Sequence, residues 1–479
     1  MSRLGPALAV RDFRAWWLAY GAMYLSFQMI DVAIGWQVYT EHHSTLDLGL
    51  IGLVEFIPML LFSLPAGVLA DRRPRRTIFA ISLLFGTGIG AGLAVLCGLH
   101  DMAIVPYLSL ALAMGVMAAF VSPAAMAMAP TLVPAELLAS AMTLRSIATR
   151  TGSVAGPALG GLLFAISAPL AYAVAAALSL VAAVAVLRIA AGRLPVDART
   201  ADAPAAVQGV LEGLRFLRRT PILLGAILLD LLGVLLGGAV ALLPVYASSI
   251  LHVGPTGLGI LRAAPAIGAL LAGVALSRRP LGPRLGRTLL HAVAIFGVSM
   301  VVFGLSRSYA LSLLTLAVSG FADMYNMNIR STISALATPD HLRGRVGAVE
   351  TVFISGSNEL GAFESGLSAS LIGTVPAVVG GGVLTILLAV LWPRMFPSLA
   401  HADRQHLVAE TQIPADAATS PLLGAEQLDR AESHVSCTRG HAARRSSPLG
   451  RARLLVTQRR ASVRADRWDA YLRTCEYVR

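Results

Sequence analysis

Gly67-Val68-Leu69-Ala70-Asp71-Arg72-Arg73-Pro74-Arg75-Arg76 is the stretch on which the fold turns, because it sets four arginines between two long apolar segments. A shortened copy, Gly273-Val274-Ala275-Leu276-Ser277-Arg278-Arg279, stands 206 residues later between two more such segments. Repetition over half a polytopic chain points to two related halves. A short arginine-rich loop between apolar spans marks a cytoplasmic face. One motif therefore carries both an orientation and a duplication.

Composition agrees with a membrane chain: 56% of the 479 residues are hydrophobic and 13% are charged, with a mean hydropathy of +0.72. Every basic residue in the Lys+Arg count of 38 is an arginine. Without lysine there is no phosphate-binding P-loop and no Schiff base, so ATP-driven transport by this chain alone is not expected. The loops are mostly short and carry no nucleophile–base or metal constellation, so an enzyme is not expected either. The formal charge of +12 sits in loops and tail, which argues for a membrane surface rather than nucleic acid. Cys97, Cys437 and Cys475 give no disulfide framework, and Cys97 reads as a small apolar helix residue. The first apolar segment is too long for a cleavable leader and holds an acid.

Apolar runs of about 20 residues predict spans near Ala15–Tyr39, Leu48–Ala70, Thr77–Leu99, Met102–Met128, Leu137–Ala165, Leu170–Ile189, Pro221–Ser249, Leu258–Leu276, Thr288–Leu305, Ala310–Ala337, Val346–Leu371 and Val375–Trp392. Arg3, Arg11, Arg14, the Arg72–Arg76 cluster, six arginines between Arg188 and Arg219, Arg278–Arg287, Arg343, Arg345 and Arg394 fall on one side of these spans. Arg307 alone falls on the other. The expected protein is an all-α membrane protein of twelve transmembrane helices in two six-helix pseudo-symmetric halves, with both termini cytoplasmic. Its halves cover residues 1–189 and 221–396. Residues 190–220 form a cytoplasmic linker, whose amphipathic segment Val207–Arg219 is expected along the membrane surface. Residues 397–479, rich in Arg, Ala and Ser, read as a disordered cytoplasmic tail, with a basic stretch at Arg444–Arg464 that could touch anionic lipid.

The duplication recurs elsewhere. Pro134-Ala-Glu136-Leu137 matches Pro339-Asp340-His341-Leu342, and Gly156 and Gly161 follow the first proline at the offsets of Gly361 and Gly366 from the second. Val38-Tyr39 and Val245-Tyr246 fall in similar register.

On these residues the chain resembles the major facilitator superfamily. Gly67-x-Leu69-Ala70-Asp71-Arg72-Arg73-x-Arg75-Arg76 is similar to the loop motif between that superfamily's spans two and three. Gly152-x-x-x-Gly156-Pro157-x-x-Gly160-Gly161 resembles its span-five antiporter motif. The order Phe13-Arg14-Ala15, Leu132-Val133-Pro134, Gly156-Pro157-Ala158-Leu159-Gly160-Gly161, Phe216-Leu217 and Pro221 is similar to its enterobactin-exporter branch, related members of which export drugs. The similarity covers about residues 10–396. It implies a monomeric secondary transporter of the bacterial inner membrane, handling a small molecule without a cofactor. It also implies that Asp71, with Arg72, Arg73, Arg75 and Arg76, latches one of two alternating conformations, Gly67 serving as a close-approach position. Ser277 replaces the acid in the second copy, so any latch is asymmetric.

Ionisable residues inside spans are costly and therefore functional candidates. Asp31 and Glu55 fall at comparable depth on sequential antiparallel spans, where two carboxylates can share a proton. Alternatively, Ser, Thr or Tyr groups cap each separately. Asp323, Asn326 and Arg330 share one helical stripe, and Asp230 lies in the inner half of span seven. The resemblance puts spans one, four, seven and ten around a central cavity, so Asp31, Asp230, Asp323 and Arg330 would face it. A structural Asp323–Arg330 salt bridge is the competing reading. Arg145, Arg150, Glu350, Glu359 and Glu364 read as inter-helix ion pairs, and Arg262 as a snorkelling residue. The span-five glycines allow close helix approach, and Pro157 bends that helix. No metal-ligand spacing links His42, His43 and His291. Trp16, Trp17, Trp36 and Trp392 read as interfacial belt residues.

The function expected is export of a small amphipathic molecule, a siderophore or a drug, by proton antiport. The mobile proton must ride on Asp, Glu or His, because arginine does not give up its proton. A membrane sensor or scaffold acting through its tail is the alternative.

Overall fold

The computed structural model describes residues 5–99, 103–189 and 203–403; within these, the side chains at 64, 68, 71, 72 and 203–207 lie outside the described set. Among the described residues every regular element is helical, which is what a chain in hydrocarbon requires: each backbone amide must be bonded within its own segment. The helices are α1 (Arg11–His42), α2 (Thr45–Arg72), α3 (Arg75–Leu99), α4 (Ile104–Met128), α5 (Leu138–Ile166), α6 (Ala168–Leu187), α7 (Ala203–Arg219), α8 (Pro221–Gly237), the short α9 (Leu243–Val245), α10 (Gly254–Arg278), α11 (Leu285–Leu305), α12 (Tyr309–Ala337), α13 (Arg343–Ile372), α14 (Thr374–Met395) and the short α15 (Pro397–Ala400). Each expected span but the seventh falls on one of these helices, with ends moved by a few residues.

Local chemistry sets the boundaries. The α1/α2 hairpin turns at His43, which takes a left-handed backbone, and Ser44 caps α2 by accepting from the Asp47 amide at 3.2 Å. Gly373, with φ +91°, separates α13 from α14. Leu61, Ile81, Leu99, Val105 and Leu371 are each more than half exposed, an apolar belt suited to lipid. Among the described residues, nine helices are long and apolar enough to cross a membrane. α5, α12 and α13 have the length, at 29, 29 and 30 residues. They carry Arg145 and Arg150, Asp323 and Arg330, and Glu350, Glu359 and Glu364, so their polarity belongs to protein-facing surfaces.

Span seven departs from expectation. The chain is not one helix from Pro221 to Ser249: α8 stops at Gly237, and a 3₁₀ turn (Val240–Leu242), α9 and a π-helical turn (Tyr246–Ile250) follow. Gly237-Gly238 and Pro244 are the physical cause, since paired glycines and an interior proline both interrupt the ladder. Ser365 Oγ takes up the Gly238 carbonyl at 2.6 Å.

Among α1–α6 the main packing pairs are α3 with α6, α2 with α4, and α1 with α5 and α6. Among α8–α14 they are α11 with α14, α10 with α12, α11 with α12, and α13 with α8. The main pairs that join these groups are α2 with α13 and α5 with α10, with a smaller contact of α1 with α10. Both main pairs use glycine. A Cβ on Gly366 would lie 2.7 Å from the Gly49 Cα, and a Cβ on Gly161 would collide with the Pro255 carbonyl. These contacts gather at the end of the bundle that is poor in arginine. The matched glycines have matched neighbours: Gly156 meets Gln28 of α1 and Gly361 meets Val234 and Leu235 of α8. The two matched Pro-x-x-Leu turns likewise adopt the same backbone. Pro134 and Pro339 have φ/ψ of −60°/157° and −58°/147°, and each is followed by a three-residue 3₁₀ turn.

Three further expectations are corrected by packing. Trp16 and Trp392 are core residues, 0% and 1% exposed, their indole N–H groups donating to the Ala125 and Gly225 carbonyls at 3.2 and 3.1 Å. The apolar face of α7 is covered by protein, with Leu217 in a core with Leu223, Val346 and Val349. The tail begins as structure rather than coil: α15 buries Leu399 completely, and Gly286 N donates to Ala402 O at 3.3 Å. Residues 404–479, the rest of the expected tail, lie outside the described residues.

A Cβ at Gly268 would run into the Ala317 backbone of α12, whereas one at Gly67 would meet no described atom within 4 Å. Gly268→Val is expected to cost about 1–3 kcal/mol through overpacking and to lower the thermal midpoint of the detergent-purified protein by several degrees. Gly67→Ala is expected to leave the midpoint unchanged or slightly raised.

Candidate functional site

α1 presents Tyr24, Gln28, Asp31 and Gly35 at offsets of four, three and four residues, a single helical face. α2 presents Leu48, Ile51, Gly52, Glu55 and Met59 in the same way. These two faces, with Met114 and Gly115 of α4, Val240, Ala241 and Pro244 of the broken segment, Arg262 of α10, and Asn358, Glu359 and Ala362 of α13, enclose a cavity of about 520 Å³. Small residues make this closeness possible: a Cβ on Gly115 would collide with the Glu55 carbonyl, and one on Gly52 would lie 2.9 Å from Ala362 Cβ and 3.5 Å from Glu359 Oε2.

The cavity is acidic. Asp31, Glu55 and Glu359 face a single guanidinium, Arg262, which donates to Asp31 Oδ2 in an ion pair between α1 and α10. Glu55 is within electrostatic reach of Glu359, Asp31 and Arg262. Asp31 and Glu55 thus share one chamber. Arg262 does not snorkel; it is a cavity cation. Glu359 belongs to the same cluster rather than to an ion pair with Arg145 or Arg150. Arg150 instead points its guanidinium at Met324 Sδ, 3.3 Å away, and Glu364 accepts from Ser368 Oγ at 2.7 Å.

A second cluster lies between α8 and α12. Arg330 Nε is 3.4 Å from Asp230 Oδ2, and Asn326 Nδ2 donates to Asp230 Oδ1. All three residues are buried, at 4%, 7% and 6% exposed for Arg330, Asp230 and Asn326. The Asp323–Arg330 bridge considered from the sequence is therefore replaced by Asp230–Arg330. Axial distance explains the difference: Asp323 lies two turns, about 10 Å, along α12 from Arg330, whereas Asp230 of α8 comes alongside both Asn326 and Arg330. Asp323 opens onto a smaller, more apolar chamber of about 190 Å³ with Phe296, Met300 and Ser319, which shares Val240, Ala241, Asn358 and Ala362 with the larger one.

In the arginine-rich loop, Asp71 and Arg72 fall on side chains outside the described set. Arg73 is exposed and closes α2, its amide bonding to the Leu69 carbonyl at 2.9 Å. Arg75 donates to the Ala70 and Ala127 carbonyls at 3.4 and 3.3 Å, and Arg76 to the Leu187 carbonyl. These cations thereby cap the C-terminal ends of α2 and α6 and the chain leaving α4, where helix dipoles place negative potential. Among the described residues no atom lies within 4 Å of a Cβ built at Gly67, so the close approach expected there is not made by them in this conformation. In α5, Gly152, Gly156 and Gly160 lie against Tyr24, Gln28 and Met29 of α1; Gly161 and the Pro157 carbonyl lie against Gly259 of α10.

Sequence reasoning missed Arg262, Glu359, Asn358, Gln28 and Tyr24 as cavity residues. The Tyr24/Gln28/Asp31/Gly35 spacing was readable as one face. Counting depth at about 1.5 Å per residue puts Arg262, Asp31 and Glu359 within about two helical turns of each other.

A mixed-charge chamber enclosed by two helix groups in an apolar belt defines a membrane transporter. A family model described as "Transmembrane secretion effector" matches residues 1–425, and the chain belongs to this family of the major facilitator superfamily; it is a multi-pass inner-membrane transporter, not an enzyme. It is 30% identical over 386 residues to the multidrug efflux pump Tap of Mycolicibacterium fortuitum, covering 76% of this chain and 91% of that protein. It is 29% identical over 380 residues to the enterobactin exporter EntS of Citrobacter koseri, covering 78% and 89%. Its fold matches a bacterial homologue of the human lysosomal transporter Spinster in an inward-facing, unoccupied conformation, with a TM-score of 0.65 at 16% identity, over 86% of this chain and 99% of that one. It also matches a D-xylose–proton symporter, with a TM-score of 0.63 at 14% identity, over 81% and 98%.

Breaking the buried Asp230–Arg330 pair from one side leaves a charge uncompensated. Arg330→Met is expected to cost about 3–5 kcal/mol in thermal unfolding of the purified protein. Asp230→Asn/Arg330→Met removes both charges and should recover much of that loss.

Proposed function

We propose that this protein is a secondary exporter of small amphipathic molecules, driven by proton antiport through the carboxylates of its central chamber. The observation that carries this reading is the chamber itself, in which Asp31, Glu55 and Glu359 outnumber the single cation Arg262 among Tyr24, Phe27, Met59 and Met114. An apolar wall with surplus acid takes an amphipathic molecule and exchanges it for protons without a metal or cofactor. Relatives named as exporters of a drug and of a siderophore support outward transport. The excess of acid favours a cationic, drug-like substrate over an anionic siderophore.

The architecture fitting this activity is twelve spans in two six-helix halves, α1–α6 and the helices from α8 to α14, with both termini in the cytoplasm. The matched Pro134 and Pro339 turns and the matched glycines of α5 and α13 support the halves. The arginine distribution supports the orientation. With the glycine contacts closed at the arginine-poor end and no described atom within 4 Å of a Cβ at Gly67, the protein faces inward in this reading. Alternation then brings Gly67 and Asp71 into contact with the opposite half, Asp71 latching the other state. The tail-based sensor finds no support among the relatives, which are transporters.

In inverted vesicles energised by a pH gradient, Asp31→Asn is expected to abolish gradient-driven uptake of a lipophilic cation such as ethidium, while Asp31→Glu keeps part of it. Full uptake by Asp31→Asn would move coupling to Glu55, Asp230 or Asp323.

Asp71→Asn should reduce efflux at least tenfold at normal membrane insertion, and Ser277→Ala should change it less than twofold. Near-normal efflux in Asp71→Asn removes the latch.

A further inference from the structure

The ion pair between Arg262 and Asp31 joins helices of different packing groups, α10 and α1. Arg262 stands three residues along α10 from Gly259, whose contact with Pro157 and Gly161 of α5 is one of the glycine contacts at the arginine-poor end, Gly49 on Gly366 being the other. Those contacts are short-range packing and give way together once the helices part. The ion pair is different, because it ties one charge on each side. Pulling the groups apart strands a guanidinium and a carboxylate inside the membrane, which is costly unless each finds another partner.

Arg262 has such a partner on its own side. Glu359 stands on α13, which belongs with α10 to the second group, lines the same cavity, and is in electrostatic reach of both Arg262 and Asp31. Its carboxylate is held beside Gly52 of α2, where a side chain would leave little room. Asp31 and Glu55 both stand on the first group. Separation along the boundary therefore divides the cluster into an Arg262–Glu359 pair on one side and two carboxylates on the other.

We infer that Arg262 is the movable clasp of the arginine-poor end, paired with Asp31 across the boundary while that end is shut and handed to Glu359 when it opens. The exchange keeps the guanidinium neutralised in both states. It also releases Asp31 from its counter-charge only when the chamber faces the arginine-poor side, so Asp31 takes up its proton from that side, the direction that antiport requires. The inference rests on the alternating-access reading above, but its test reads helix separation rather than transport, so either can fail without the other.

The experiment uses the full chain in lipid nanodiscs, with Cys97, Cys437 and Cys475 replaced by serine and spin labels attached at Val105→Cys and Leu371→Cys. These positions are 69% and 75% exposed, on α4 and α13 at the arginine-poor end. Pulsed dipolar spectroscopy then reports their distance distribution. A dominant short distance with a minor longer one is expected for the parent. Arg262→Gln and Asp31→Asn should each raise a longer-distance population several-fold, the double variant should open no further than either single one, and Arg262→Lys should remain shut. Glu359→Gln should stay shut and populate the longer distance less than the parent, having lost the alternative partner. Each variant is first checked for helix content and monodispersity; should Arg262→Gln not fold, Asp31→Asn reads the same pair. A parent-like distribution for both Arg262→Gln and Asp31→Asn, or additive opening in the double variant, overturns the clasp. Opening by Glu359→Gln overturns the hand-over.

Discussion

Close backbone contact at glycine is the constraint on which the rest of this structure depends. Helices in lipid gain little from apolar burial against one another, since the surrounding chains are equally apolar; they associate through packing and through whatever polar contacts small residues permit. Here α2 meets α13 at Gly49 and Gly366, α5 meets α10 at Gly161 and Gly259, and α5 meets α1 at Gly152, Gly156 and Gly160. Without those approaches the faces of α1, α2, α10 and α13 would stand too far apart to enclose one chamber, and Arg262 could not reach Asp31.

The same closeness governs the charges. A lone ion in the bilayer interior is expensive, and the structure answers with two different solutions. Asp230 holds Asn326 by a hydrogen bond and Arg330 by an ion pair in a buried set within one packing group, suited to a fixed structural role. Asp31, Glu55, Glu359 and Arg262 form an acid-rich set around open space and between groups, suited to exchange of partners. The loop arginines follow a third logic, with Arg75 and Arg76 spent on helix carbonyl ends rather than on carboxylates alone.

Much of the architecture was legible before any coordinates. Apolar run length located the helices to within a few residues because a membrane span has one physical length scale, and the spacing from Pro134 to Gly161 announced its copy from Pro339 to Gly366. The break in span seven was less legible, because Gly237-Gly238 inside a strongly apolar run leaves hydropathy unchanged while removing the side chains that stiffen a helix. Trp16 and Trp392 misled for a related reason: position near a span end suggests an interface, yet a neighbouring carbonyl can satisfy an indole N–H in the core.

The amino-acid sequence by itself determined the helices, the internal repeat and the depth of Asp31 and Glu55, which follow from periodicity and length along one chain, and the family resemblance, which its loop and span-five motifs carry. Tertiary structure alone decided which charges meet. Arg330 pairs with Asp230 rather than Asp323, and Arg262 with Asp31 rather than with water at the membrane edge, because pairing depends on the height and rotation at which each helix meets its neighbour and on how closely glycine lets that neighbour come. Those are relations between segments more than ninety residues apart, and no local pattern encodes them.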